Sequence, residues 1–146
     1  MKKAEIKLSS DCNKLLDKYK WSLKNPMYID KKDKRYNKHV KQLKVEGFSD
    51  TESWSLDSVL SMFILPRLVR FREVANGFPF CEVDGKHMTM EKWHEILHKM
   101  IFAFEWNIIC EEEGSYKLSD EIKKANWDKY QEGMALFAKY FRDLWW

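Results

Sequence analysis

Three cysteines, three prolines and five glycines are few for a chain of 146 residues. The cysteines Cys12, Cys81 and Cys110 are odd in number and far apart, which argues against a disulfide scaffold and for free thiols in a reducing compartment. None has a histidine at a telling distance, so nucleophilic catalysis has no support. The glycines are scattered, which excludes a glycine-rich phosphate loop. No apolar run approaches the roughly 20 residues of a membrane span. The opening Met1-Lys2-Lys3-Ala4-Glu5-Ile6-Lys7-Leu8 lacks the apolar segment of a signal peptide, and a cytosolic protein is expected. Sustained two-residue alternation is missing too, which leaves little room for half-buried strands.

What the chain does have is a split charge. Residues 1–46 carry 14 Lys or Arg against 6 Asp or Glu, and residues 47–146 carry 12 against 17. The net +3 conceals this. Such asymmetry points to a partner surface, either nucleic acid or an acidic protein. Seven Trp, nine Phe and six Tyr supply large buried areas and favour contact surfaces as well as cores.

The apolar spacing predicts helices. Residues 9–24 read as a short helix capped by Ser9 or Ser10 and stopped by Pro26. Residues 30–45 have only a thin apolar stripe of Tyr36, Val40 and Leu43, as in a surface helix or mobile arm, and the segment 47–50 is a break. A long helix follows from Asp50 or Ser53, with Leu56, Val59, Leu60, Phe63, Leu68, Phe71 and Val74 as its stripe. Its middle, residues 59–65, is apolar on nearly every side and predicts a central, buried helix kinked at Pro66. Residues 77–88 form a loop in which Asp84-Gly85 marks a turn or small hairpin. Thr89 caps the next helix, whose stripe is Trp93, Leu97, Met100, Phe104 and Ile108 and which ends near Gly114. Ser119 or Asp120 opens the last one, with Trp127, Tyr130, Met134, Phe137, Phe141 and Leu144 in unbroken helical spacing. The expected fold is an all-α bundle of three principal helices (residues 47–146) with a basic, partly helical N-terminal extension (residues 1–46). Phe63, Leu97, Phe104, Phe137 and Phe141 are expected to pack together in its core.

Three groups of residues carry chemistry worth weighing. His94-Glu95-Ile96-Leu97-His98 matches H-E-x-x-H, which on a helix sets two imidazoles one turn apart for zinc. A zincin needs a third ligand. The metzincin glycine and histidine are replaced by Ile101 and Phe104, and Glu111, Glu112, Glu113 and Glu121 sit in no helix-borne motif. The overlapping E-x-x-H pairs, Glu91 with His94 and Glu95 with His98, lie on one helix, whereas di-iron bundles draw them from two. No metal, cofactor or catalytic residue is therefore expected. Arg67 and Arg70 share a face and are candidate anion contacts, with pairing to Asp57, Glu73 or a carboxylate on a neighbouring helix as the plainer alternative. Lys31, Lys32, Lys34, Arg35, Lys38, Lys41 and Lys44, with Tyr28 and Tyr36 among them, resemble a surface that tracks phosphates or docks on a protein, unless they are simply a solvated face.

Two segments bear a likeness to known proteins. One runs from Gly47-Phe48-Ser49-Asp50 through Trp54-Ser55-Leu56-Asp57 to Phe63-Ile64-Leu65-Pro66-Arg67-Leu68 and Arg70-Phe71. The other is Met100-Ile101-Phe102-Ala103-Phe104-Glu105, followed by Glu132-Gly133-Met134, Leu136-Phe137-Ala138-Lys139-Tyr140-Phe141 and Leu144-Trp145. Together they resemble a group of small proteins encoded by tailed bacteriophages and prophages, over residues 47–146 apart from the loops. In that pattern acidic or amide residues stand where this chain has His94 and His98, which weakens a zinc reading further. The resemblance implies a phage origin and expression in the host cytoplasm, and no activity. The expected function is that of a non-enzymatic accessory protein binding a host protein, such as an anti-CRISPR-like inhibitor of a defence protein or an inhibitor of a regulatory protein. The alternatives are a nucleic-acid-binding module using the basic arm and an oligomer that sequesters a small nucleotide at Arg67 or Arg70.

Overall fold

A computed structural model describes Ile29, residues 31–112 and residues 118–145. The helix expected over 9–24 and the helix end expected near Gly114 lie outside the described residues. The fold is an all-α bundle of three principal helices. In chain order the elements are α1 (Tyr36–Val45), α2 (Asp50–Trp54), α3 (Leu56–Val74), a hairpin of β1 (Glu82–Val83) and β2 (Lys86–His87), α4 (Met90–Glu112), α5 (Asp120–Lys139) and a closing 3-10 turn (Phe141–Asp143). Among the described residues no helix is long and apolar enough to cross a membrane.

Local chemistry sets the boundaries. Gly47 takes φ +82° after α1, a left-handed conformation that costs glycine little. Ser49 then starts α2 with a full capping box: its Oγ accepts from the Glu52 N–H, and its own N–H donates to Glu52 Oε2 at 2.5 Å. Both residues are buried, so these bonds satisfy groups that water cannot reach. The helix that begins at Asp50 does not run on as expected. Ser55 leaves helical geometry at φ −114°, ψ 52°, and α3 begins afresh with Val59 N–H donating to the Ser55 carbonyl at 3.0 Å. The chain stays helical through Pro66. The hairpin turns on Asp84 (φ 54°) and Gly85 (φ 73°), the pair of positive φ values that a two-residue type I′ turn needs. Thr89 Oγ1 caps α4 by accepting from Lys92 N–H at 3.2 Å, and Ser119 Oγ caps α5 by accepting from Ile122 N–H at 3.4 Å.

The central helix is α4 rather than α3. It packs along α3 on one side and α5 on the other. Its expected stripe of Trp93, Leu97, Met100, Phe104 and Ile108 is wholly buried, and Ile96, Ile101 and Ala103 widen the buried arc. By contrast α3 buries Val59, Leu65 and Leu68 with the small Ser58 and Ser61, while Leu56, Leu60 and Phe63 face solvent. An all-round apolar run needs partners all round to be buried, and α3 has its principal helix contact on one side only.

The aromatic core is correspondingly smaller than expected. Phe104 meets Phe137 edge to face at 4.9 Å between ring centroids, and Trp93 meets Tyr140 in the same way at 5.4 Å. Phe63 stands outside this core, and Phe141, although 5.5 Å from Phe137, is largely exposed. The last apolar stripe also outruns its helix: α5 ends at Lys139, Tyr140 departs to ψ 16°, and Trp127 at the other end is exposed. Where α5 crosses α4, the backbones nearly touch. A Cβ at Gly133 would overlap the Lys99 carbonyl oxygen and lie 2.7 Å from Ala103 Cβ. Beside this crossing Lys99 Nζ pairs with Glu132 Oε1 at 2.5 Å.

Candidate partner-binding surface

The basic residues described before Gly47 are held on folded structure. Asp33 carries Arg35 in a two-pronged ion pair, with Oδ1 accepting from Nε at 3.0 Å and Oδ2 accepting from Nη2 at 2.8 Å, and Oδ1 also accepts the Arg35 N–H. These bonds hold the Asp33 carboxyl at about 2 and raise the Arg35 guanidinium above its ordinary value. They fix the turn that leads into α1. Two residues of α1 then grip the start of α2: Lys38 Nζ donates to Asp50 Oδ2 at 2.5 Å, and Gln42 Nε2 donates to Asp50 Oδ1 at 2.8 Å. The Asp50 N–H returns a bond to Gln42 Oε1. The same contact lowers the pKa of Asp50 and raises that of Lys38.

This fixes what each predicted basic residue does. Lys31, Lys32, Lys34, Arg35, Lys38, Lys41 and Lys44 are all exposed. Arg35 and Lys38 are committed to Asp33 and Asp50. Among the described residues no carboxylate pairs with Lys31, Lys34, Lys41 or Lys44. Lys41 lies on the side of α1 opposite the buried His39 and the half-buried Leu43, with Lys44 beside it. An exposed helical face with uncompensated positive charge attracts anionic groups at range.

The candidate anion contacts divide. Arg70 Nη1 pairs with Glu73 Oε2 at 3.2 Å, the plainer alternative. Arg67 lies flat on the Phe63 ring, Cζ 3.6 Å from its centroid, and Nη1 donates to the Phe63 carbonyl at 2.6 Å. They do not form a shared anion clamp.

His94 and His98 occupy successive turns of α4. Partial burial, reinforced by the Arg72 guanidinium and opposed by Glu105, pushes the His98 imidazole below its ordinary value. Among the described residues no group of three or more His, Cys, Asp or Glu side chains is placed to hold a metal ion. Glu121 is exposed at the start of α5, whereas the side chains of Glu111, Glu112 and Glu113 lie outside the described residues.

Sequence reasoning missed one surface by assigning it to the core. Leu56, Leu60 and Phe63 form an outward apolar face on α3, and Trp54 at the end of α2 is 88% exposed. The signal was present in the competing stripe of Ser58, Ser61, Leu65 and Leu68, whose small hydroxyl residues permit close approach. Ser61 Oγ accepts from Asn107 Nδ2 of α4 at 3.0 Å. Only one of the two stripes can face α4.

Comparison with known proteins finds no match to any protein-family model, curated protein or solved structure.

Proposed function

We propose that this chain is a non-enzymatic accessory protein of phage type that works in a host cytoplasm by docking an acidic host protein, as an inhibitor of a defence or regulatory factor would. The observation that carries this reading is the basic surface formed by α1 and the turn before it, where Lys31, Lys34, Lys41 and Lys44 are exposed and without carboxylate partners among the described residues. The helix that bears the last two is anchored on α2 by Lys38 and Gln42. Anchoring supports protein recognition because it lowers the ordering cost of presenting charges in a fixed pattern. The resemblance to small phage proteins supports the biological setting.

Duplex nucleic acid is the second reading, favoured by the same uncompensated lysines, since phosphates are recognised by the same chemistry. Sequestration of a small nucleotide is least favoured, because Arg70 is paired with Glu73 and Arg67 is laid on Phe63.

The test is capture from bacterial lysate, with and without nuclease, by the natural chain and by a variant with Lys31, Lys34, Lys41 and Lys44 changed to Gln. A protein retained after nuclease by the natural chain and lost by the variant supports docking. Material lost on nuclease treatment, together with duplex binding that weakens steeply with salt, supports the nucleic-acid reading. Equal capture by both chains would remove α1 from the function.

A further inference from the structure

The outward face of α3 repeats the three-and-four register of its buried face, with large residues where the buried face begins with Ser58 and Ser61. Leu56, Leu60, Phe63, Arg67 and Arg70 follow one another at spacings of four, three, four and three, which is the seam of a coiled coil. All five residues are exposed. Their charges are distributed unevenly along the helix. Asp57 sits in the first turn and has no cation partner among the described residues; Arg67, near the other end, has no carboxylate partner. Arg67 spends one N–H on the Phe63 carbonyl, and a guanidinium has five.

These features are complementary to themselves. Set antiparallel about a two-fold axis between Leu60 and Phe63, two such faces place Leu60 of each copy against Phe63 of the other. Arg67 of each copy then comes level with Leu56 and Asp57 of the other, and the two helix dipoles oppose. This is an isologous arrangement, in which one patch serves both subunits. We infer that the chain forms a two-fold symmetric homodimer through the outward face of α3, with Leu60 and Phe63 at its centre and reciprocal Asp57–Arg67 pairs at its rim. A foreign apolar helix would cover the stripe equally well, but nothing would then match Asp57 at one end and Arg67 at the other. The second copy supplies both. The patch is small, so association falls in the micromolar range, on the order of 1–100 μM.

The test is sedimentation equilibrium on the full chain from about 1 to 500 μM. The expected mass rises from 17.7 kDa toward twice that value. Leu60→Arg, at a solvent-facing position, is expected to retain the helical circular dichroism spectrum and to weaken association by at least about tenfold. Asp57→Arg and Arg67→Asp are each expected to weaken it about fivefold or more, and the double variant to return it to within about threefold of the natural chain. A chain monomeric throughout the range overturns the proposal. So does a dimer indifferent to Leu60→Arg, or a double variant weaker than either single one. The lysine-to-glutamine variant of α1 is expected to dimerise normally, which separates this interface from the docking face.

Discussion

α3 and α4 contain similar apolar runs, Val59 to Leu65 in one and Met100 to Phe104 in the other, yet only α4 is enclosed. The reason lies outside either run. α4 has a helix on each side, and its second flank meets α5 where Gly133 removes the side chain that would hold the backbones apart. α3 turns Ser58, Ser61, Leu65 and Leu68 inward and Leu56, Leu60 and Phe63 outward. Hydrophobicity therefore did not decide which helix became central; the small residues that allow close approach did.

The contrast can be broken at several points, from the largest effect to the smallest. Leu97 is fully buried in α4, and Leu97→Ala is expected to lower unfolding stability by about 2–5 kcal/mol, through lost transfer energy and a residual cavity. Urea unfolding monitored by circular dichroism measures it. Gly133→Ala is next. Alanine improves helix propensity by about 1 kcal/mol, but its methyl group must displace the Lys99 carbonyl, which is backbone and cannot swing away. A net loss of about 1–3 kcal/mol is expected from overpacking, and a gain in thermal midpoint would show that the two helices do not touch there. The third is Ser49→Ala, which removes the buried α2 cap and leaves the Glu52 N–H without its acceptor. About 0.5–2 kcal/mol should be lost, and Ser49→Asp should recover part of it.

The smallest effect is a pH dependence. His98 has its folded pKa depressed below the unfolded imidazole value, so the folded chain binds this proton less well than the unfolded one. Its contribution is complete above the ordinary imidazole pKa of about 6.5 and declines as pH falls through that value, levelling off once the folded-state pKa is passed. His98→Gln is expected to flatten the stability–pH curve between about 7 and 5. An unchanged curve would remove the partial desolvation of His98 from the description.

Features fixed by a few neighbouring residues were legible in the sequence. Thr89 and Ser119 stand before apolar periodicity, Asp84-Gly85 demands a tight turn, and the α4 stripe has no competing register. Features set by distant partners were not. The break at Ser55 has neither proline nor glycine to announce it, and Tyr140 ends α5 with equally little local signal. The outward stripe of α3 has the spacing of a core stripe, and only the competing stripe of Ser58, Ser61, Leu65 and Leu68 hints that the other face meets α4. The basic character of the arm was plain, whereas the pairing of Lys38 with Asp50, twelve residues away, required the fold.

The most direct measurement compares one residue type in the two helices. Phe104 of α4 is 4% exposed and Phe63 of α3 is 43% exposed. Each is changed to Ala, and unfolding stability is measured by urea titration of Trp fluorescence at about 0.1 μM chain, below the association range. Phe104→Ala is expected to cost about 3–5 kcal/mol and Phe63→Ala less than about 1 kcal/mol, as for a surface substitution. Equal losses at the two positions would mean that α3 is enclosed as α4 is, and would contradict the arrangement of the bundle.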